Sequence, residues 1–187
     1  MLFRSVRTAV YQPDGLIPET VLGSASAPLT MIEYASLTCP HCATFQRETM
    51  PSVKSEYIET GKVKLIYRDF PLDSLAMGAA LLAHCAGPDR YFGFIEILFR
   101  SQNTWVVAQN PRQELIKVAR LANMSNDQAE ACLADSALLA SVQTRAKMAS
   151  EKFGVNSTPT FFVGNRQLSG EVPFPEFKKV LDAEMPK

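Results

Sequence analysis

Cys39-Pro40-His41-Cys42 is the part of this 187-residue chain best equipped to do chemistry. Two thiols separated by two residues can close a small disulfide and hand it on. Exchange needs one thiolate that both attacks and leaves well, and a second thiol close enough to displace it. Cys39 suits the first role if it opens a helix. The orphan N–H donors and partial positive charge found there are worth about 0.3 to 2 kcal/mol, at most about one and a half pKa units. His41 lies between the cysteines and can add a positive charge or a donor beside the sulfur. A stabilised thiolate favours the dithiol form, and each pKa unit gained raises the two-electron potential by about 30 mV, so Pro40-His41 reads as an oxidising dipeptide. Cys42, one helical turn further in, suits a buried resolving thiol; the bland reading is a thiol that packs as a small hydrophobe. A zinc half-site competes for the same pair, but the remaining candidate ligands are Cys85, Cys132 and His84, and no second C-x-x-C or H-x-x-x-H is present. A c-type haem needs histidine at position 43, which is Ala43. No metal and no organic cofactor is expected.

A strand-to-helix junction is what such a pair requires, and the surrounding sequence supplies one. Residues 21–28 are small and turn-prone, and they lead into Leu-Thr-Met-Ile-Glu-Tyr-Ala at 29–35, a buried strand by length and apolarity. Thr38 stands where a helix N-cap would, Pro40 suits a first turn because its missing N–H has no partner there anyway, and residues 42–60 are mostly good helix formers. Pro51 is expected to kink that helix and Gly61 to cap it. Residues 62–69 set Val63, Leu65 and Tyr67 against Lys62, Lys64, Ile66 and Arg68, which predicts a second strand. From Ser74 to about Phe153 the pattern is helical throughout, with starts at Pro88, Pro111 and Ser125 and a last helix running on from Ser125 to Phe153. Within it Ala79, Leu82, Phe92, Ile95 and Phe99 read as core, and Trp105 is a candidate for the edge of the cysteine cleft. Thr160 to Val163, a Gly164-Asn165 turn and Gln167 to Ser169 predict a hairpin, and residues 173–184 a closing helix.

Composition narrows the function classes. Apolar residues make up 47% and charged residues 20%, a balance that excludes a disordered chain, and no apolar stretch approaches the roughly 18 residues of a membrane span. Nineteen basic residues cancel nineteen acidic ones with no run of like charge, so nucleic acid is not expected as a partner. The first fifteen residues carry Arg4 and Arg7 but no uninterrupted apolar stretch of signal-peptide length, so no leader is visible; a cytosolic protein and a form whose leader has been removed both remain open.

The order β, α, β, helical block, β, β, α is that of an α/β thioredoxin fold with a helical domain inserted. Residues 21–73 and 154–187 would make the thioredoxin domain, 74–153 the insertion and 1–20 an N-terminal extension that the pattern does not place. The chain resembles the DsbA-type thiol:disulfide oxidoreductases of bacteria. The resemblance is carried by Cys39-Pro40-His41-Cys42 after a strand, Glu33 six residues before Cys39, Arg68-Asp69-Phe70-Pro71 at the end of the second strand, and Thr158-Pro159-Thr160-Phe161 before the hairpin.

Several expectations follow from that resemblance together with the residues. Glu33 interrupts an apolar strand and shares a face with Met31 and Ala35. Buried beneath the cysteines it would have a raised pKa and shuttle the proton of Cys42; otherwise it is an ordinary solvent-facing strand residue. The resemblance implies a cis Thr158-Pro159 bond, beside which the main chain of Thr158 would pair with an extended substrate strand across from Cys39. Cys85 and Cys132 would form a structural disulfide in the oxidising compartment the family implies; the alternative is two separate buried thiols. His84 reads as a surface or core histidine. The implied function is donation of a disulfide to unfolded or reduced exported proteins in the periplasm by a monomer, with a membrane quinone-linked reoxidant of the DsbB type. A reductase or isomerase of the same fold is the nearer alternative, although no N-terminal dimerisation domain fits in the residues before the fold. A non-catalytic binding or chaperone module is the more distant one, and the intact cysteines argue against it.

Overall fold

In the computed structural model, which describes residues 16–186, Val21–Leu22 (β1), Leu29–Ala35 (β2), Val63–Asp69 (β3), Thr160–Val163 (β4) and Arg166–Ser169 (β5) form one sheet in the order β1-β3-β2-β4-β5. The central strands β2 and β3 run parallel, and the outer pairings are antiparallel. A parallel neighbour requires a crossover. Here it consists of α1 (Pro40–Glu48), α2 (Met50–Val53) and a π-helical turn at Lys54–Ile58. Between β3 and β4 stand α3 (Ser74–Cys85), α4 (Pro88–Arg100), α5 (Gln102–Trp105), α6 (Pro111–Arg120), α7 (Asn126–Leu133) and α8 (Ser136–Phe153), and α9 (Phe174–Glu184) closes the chain. This is the thioredoxin fold with a helical block inserted.

Three apolar clusters hold these layers together. On one face of the sheet Met31, Leu65 and Phe161 pack against Phe45 of α1, Val53 of α2 and Phe177 of α9. On the other Ile32, Tyr34, Ile66 and Phe162 pack against Ala149 of α8. The third lies within the helical block, around Ala79, Leu82, Leu98 and Trp105, and extends to Leu37, Cys39 and Cys42. The cysteine loop therefore sits at the seam between sheet and block.

The structure departs from the sequence pattern in several places, each for a local reason. The segment read as turn-prone contains β1, which pairs with Ile66 and Leu65 at the edge of β3. Two residues are too few to show a period. Strand β3 is buried on both faces rather than alternating: Ile66, Arg68 and Asp69 are as covered as Leu65 and Tyr67. Arg68 tolerates burial because its Nε donates to Glu19 at 2.5 Å and its Nη1 to the Tyr34 hydroxyl at 2.6 Å. The helix expected over 42–60 breaks at Thr49, where Pro51 cannot supply its N–H to the preceding turn and the Thr49 hydroxyl donates to the Val172 carbonyl at 3.0 Å. The helix expected from Ser125 to Phe153 is two helices, because Asp135 caps α8 by accepting from the N–H groups of Ala137 and Leu138. Of the N-terminal extension, residues 1–15 lie outside the described residues. Ile17 donates its N–H to Ser141 at 3.1 Å and accepts from the Arg145 guanidinium, so residues 17–22 strap α8 to the sheet edge.

Candidate active site

Cys39 itself, not Thr38, is the N-cap of α1, with φ −76° and ψ 120° and Pro40 in the first turn. The sulfur thus faces the free N–H groups of the helix start. The Thr38 hydroxyl goes elsewhere, donating to Asp73 at 2.6 Å, and Asp73 in turn caps α3 by accepting from the Ala76 N–H at 2.7 Å. Gln102, buried in α5, donates its amide to the carbonyls of Leu37 at 2.8 Å and Cys39 at 3.1 Å. One end of the loop is therefore fixed by the helical block. The other faces the Thr158-Pro159 segment, whose peptide bond is cis, and the Cys39 thiol donates to the Thr158 carbonyl at 3.4 Å.

The two sulfurs differ sharply in acidity. The Cys39 thiol is pulled down to about 5, first by the hydrogen bond from the Cys42 thiol, against an opposing effect of burial, and then by Thr158 and the backbone N–H groups of Cys42 and His41. The buried Thr158 hydroxyl makes no hydrogen bond while Cys39 is a thiol, which leaves it free to turn to the thiolate. Cys42 is fully buried and its thiol is held far above the ordinary value, by loss of water first and then by Cys39 and Glu33. Both cysteines are free thiols here, and of the two only Cys39 has any exposure, 5% against 0%.

Glu33 pairs across β2 with Tyr67 on one side and Phe161 on the other, beneath α1, and it is completely buried. Burial pushes its carboxyl up to about 8, opposed by the amide of Gln46, which donates to both carboxylate oxygens at 3.3 and 3.1 Å. Gln46 also lines a cavity of about 410 Å³ between α1 and the α4–α5 corner, together with Ala43, Phe99 and Arg100. A proton could thus pass between Glu33 and solvent beside one side chain.

His41 occupies the rim. Its backbone N–H favours the Cys39 thiolate, but its imidazole extends outward, with Nδ1 3.2 Å from the Glu171 carboxylate.

A thioredoxin family model matches residues 16–183. The crystal structure of alpha-DsbA1 from Wolbachia pipientis superposes with a TM-score of 0.85 and 32% identity, over 96% of this chain and 94% of that one. The chain is a DsbA-type member of the thioredoxin family. A candidate protein-disulfide oxidoreductase of Rickettsia bellii is 28% identical over 150 residues, which are 80% of this chain and 58% of that protein, so the chain spans little more than half the length of that curated relative. BdbD of Bacillus subtilis, at 22% identity and a TM-score of 0.79 over 89% of this chain and 92% of that one, shares the fold.

In this DsbA-type chain the structure brings Cys39, Pro40, His41, Cys42, Glu33, Thr158 and Pro159 to one seam. Cys85 and Cys132 lie apart from it, joined as a disulfide between the end of α3 and α7. His84 is no surface residue: its Nε2 lies 2.7 Å from the Asp69 carboxylate at the end of β3. Trp105 does not edge the cleft. It is completely buried, and its indole N–H donates to the Leu98 carbonyl at 2.9 Å. Sequence reasoning missed Gln46, Gln102, Asp73 and Glu171. Asp73 before a helical run is a readable N-cap signal; the other three act through contacts that no local pattern marks.

Proposed function

We propose that this DsbA-type protein is a dithiol oxidase that donates the Cys39–Cys42 disulfide to reduced proteins. The observation that carries the reading is the asymmetry of the two sulfurs: Cys39 caps α1 opposite the Thr158 carbonyl, and Cys42 is sealed beneath it. A substrate thiolate attacks the Cys39 sulfur. The new bond is a mixed disulfide, the Cys39–Cys42 bond breaks, and its electron pair leaves on Cys42. Burial makes that thiolate costly, and Glu33, protonated below about pH 8, supplies its proton. A second substrate thiolate then attacks the substrate sulfur of the mixed disulfide, and Cys39 departs as a thiolate that its surroundings already favour. The substrate loses two electrons and two protons and gains a disulfide; the enzyme ends as a dithiol. The next turnover needs an external disulfide or quinone-linked oxidant, and a DsbB-type membrane partner fits that need. The same reading makes the substrates exported proteins, the compartment the periplasm and the working unit a monomer.

Equilibrating the pair against glutathione, and timing the oxidation of a dithiol peptide by the disulfide form, tests the reading. A low-acidity-cost Cys39 predicts a readily reduced disulfide and fast peptide oxidation, with little recovery of a scrambled multi-disulfide substrate. Efficient rescue of scrambled substrate with slow peptide oxidation would replace oxidase by isomerase, and absence of both reactions would leave the binding module.

A further inference from the structure

His41 favours the Cys39 thiolate through its backbone N–H, while its imidazole, 67% exposed, meets the Glu171 carboxylate at 3.2 Å. Glu171 is not casually placed. Gly170, at φ +86°, turns the chain out of β5 in a conformation that favours glycine, and its N–H donates to the Pro159 carbonyl at 2.8 Å. On the other side the Val172 carbonyl accepts from the Thr49 hydroxyl at the end of α1. The residues flanking Glu171 are therefore tied to the two elements that make the site, the cis-proline segment and the helix that Cys39 caps.

We propose that Glu171 is a positioning residue for the redox pair: its carboxylate competes with the Cys39 thiolate for the His41 imidazole, and so keeps the Cys39–Cys42 disulfide less oxidising than a free His41 would make it. The inference rests on the dithiol–disulfide chemistry proposed above. In the disulfide form the loop sulfurs are neutral, and Glu171 is the anion His41 meets. Reduction adds a second anion, the Cys39 thiolate, at the other end of the same loop. With Glu171 in place the imidazole is already engaged by its carboxylate. Without it the thiolate is left as the imidazole's anionic partner, and that favours the dithiol form. The thiolate then takes the place of the lost carboxylate as the anion a ring nitrogen can donate to.

The charged surroundings leave few other actors. From α1, Glu48 shares a shallow cavity with Glu171 but is paired with Arg47 at 3.1 Å. The segment Ser157-Thr158-Pro159 carries no charge, and apart from His41 the titratable groups of the loop itself are Cys39 and Cys42. Among the described residues Glu171 is the carboxylate that meets the His41 imidazole, at 3.2 Å.

The test compares the full chain with Glu171→Gln, Glu171→Ala, His41→Ala and the His41→Ala/Glu171→Gln double variant. Each is equilibrated with glutathione near neutral pH at low ionic strength, and its Cys39 thiolate is titrated by ultraviolet absorbance. For a pair this exposed the effect is modest, about threefold to fivefold in the equilibrium constant toward reduced enzyme, equivalent to about 15 to 20 mV. The thiolate midpoint falls in the same variants. In the His41→Ala background, Glu171→Gln moves the constant by less than about 1.5-fold. An unmoved constant in both Glu171 variants, a shift toward disulfide, or an equal shift without His41 overturns the proposal. The last outcome would mean a direct charge effect that bypasses the imidazole. If the unaltered chain reaches no thiol–disulfide equilibrium with glutathione, the oxidase reading falls and this inference with it; if it does and only Glu171 is silent, the oxidase reading stands alone.

Discussion

Cys39 and Cys42 are separated by two residues at the start of one helix, whereas Cys85 and Cys132 stand 47 positions apart and join two helices of the inserted block. The first pair encloses almost no chain, so its bond removes little loop entropy, and whether it is open or closed is decided by what surrounds each sulfur. The second encloses enough chain that its bond constrains the unfolded state strongly, by roughly 4 kcal/mol on the chain-entropy model. Local electrostatics tunes one pair for transfer and topology tunes the other for retention. Removing either should therefore disturb a different observable.

The largest contrast is in rate. Cys39→Ser should lower oxidation of a dithiol peptide by about a thousandfold or more, because the attacked sulfur is gone. The Cys85→Ser/Cys132→Ser variant should stay within about threefold of the unaltered protein. Equal losses in stopped-flow measurements of the two variants would dissolve the distinction. Next comes stability. The same double serine variant should lose about 3 to 4 kcal/mol in urea unfolding with the active-site pair left oxidised; a loss below about 1 kcal/mol would show that the bond adds little to the packed block.

The third effect is a pH dependence that only the first pair can show. The Cys39 thiol in the folded, reduced protein is lowered from 9 to about 5. A depressed acid adds stability above its unfolded pKa, and that stability is lost as pH falls through the folded value. The window therefore runs from about pH 9 down to about pH 5, and at pH 7 the contribution is about 2 to 3 kcal/mol. Reduced protein compared with Cys39→Ala by urea unfolding should show this difference near neutrality and lose it by about pH 4. A difference that is flat with pH would mean that the thiolate is not what stabilises the dithiol form.

How much of this was open to sequence reading follows the same division. The strand, the C-x-x-C and the helix start are contiguous, so their chemistry could be read along the chain. The position of Glu33 on the face of Met31 was legible from the two-residue period, and its burial could be argued but not seen. Gln46, Gln102 and Glu171 act across the fold, and the polar side chains that fix the loop look like surface residues until α5 and the segment after β5 are packed against it. Thr38 misled because an N-cap threonine is the commoner pattern, yet here it is spent on Asp73 and leaves the cap to the cysteine. Asp135 misled in the opposite sense, as a cap embedded in an otherwise helical run.

A smaller effect concerns the proton. Glu33, held up to about 8, is protonated at neutral pH and can neutralise Cys42 as it leaves. Glu33→Gln should slow peptide oxidation by about tenfold to a hundredfold near pH 7. The deficit should shrink as pH rises past about 8, where the carboxyl itself loses the proton it would give. A rate unaltered across that range would return Glu33 to a purely structural role.

The smallest expected effect is at Thr158. Its carbonyl accepts from the Cys39 thiol through the main chain, which substitution does not remove, whereas its buried hydroxyl makes no hydrogen bond until the sulfur ionises. Thr158→Val keeps the shape and deletes only that hydroxyl. The thiolate loses one donor among several, so the Cys39 pKa should rise by less than about one unit and the pair should become less oxidising by no more than about 30 mV. That loss disfavours the dithiol form, so the variant should sit further toward oxidised enzyme in a glutathione buffer. A shift toward reduced enzyme would mean that the hydroxyl serves the disulfide form, and the asymmetry of the first cysteine pair would then rest on the helix start and Cys42 alone.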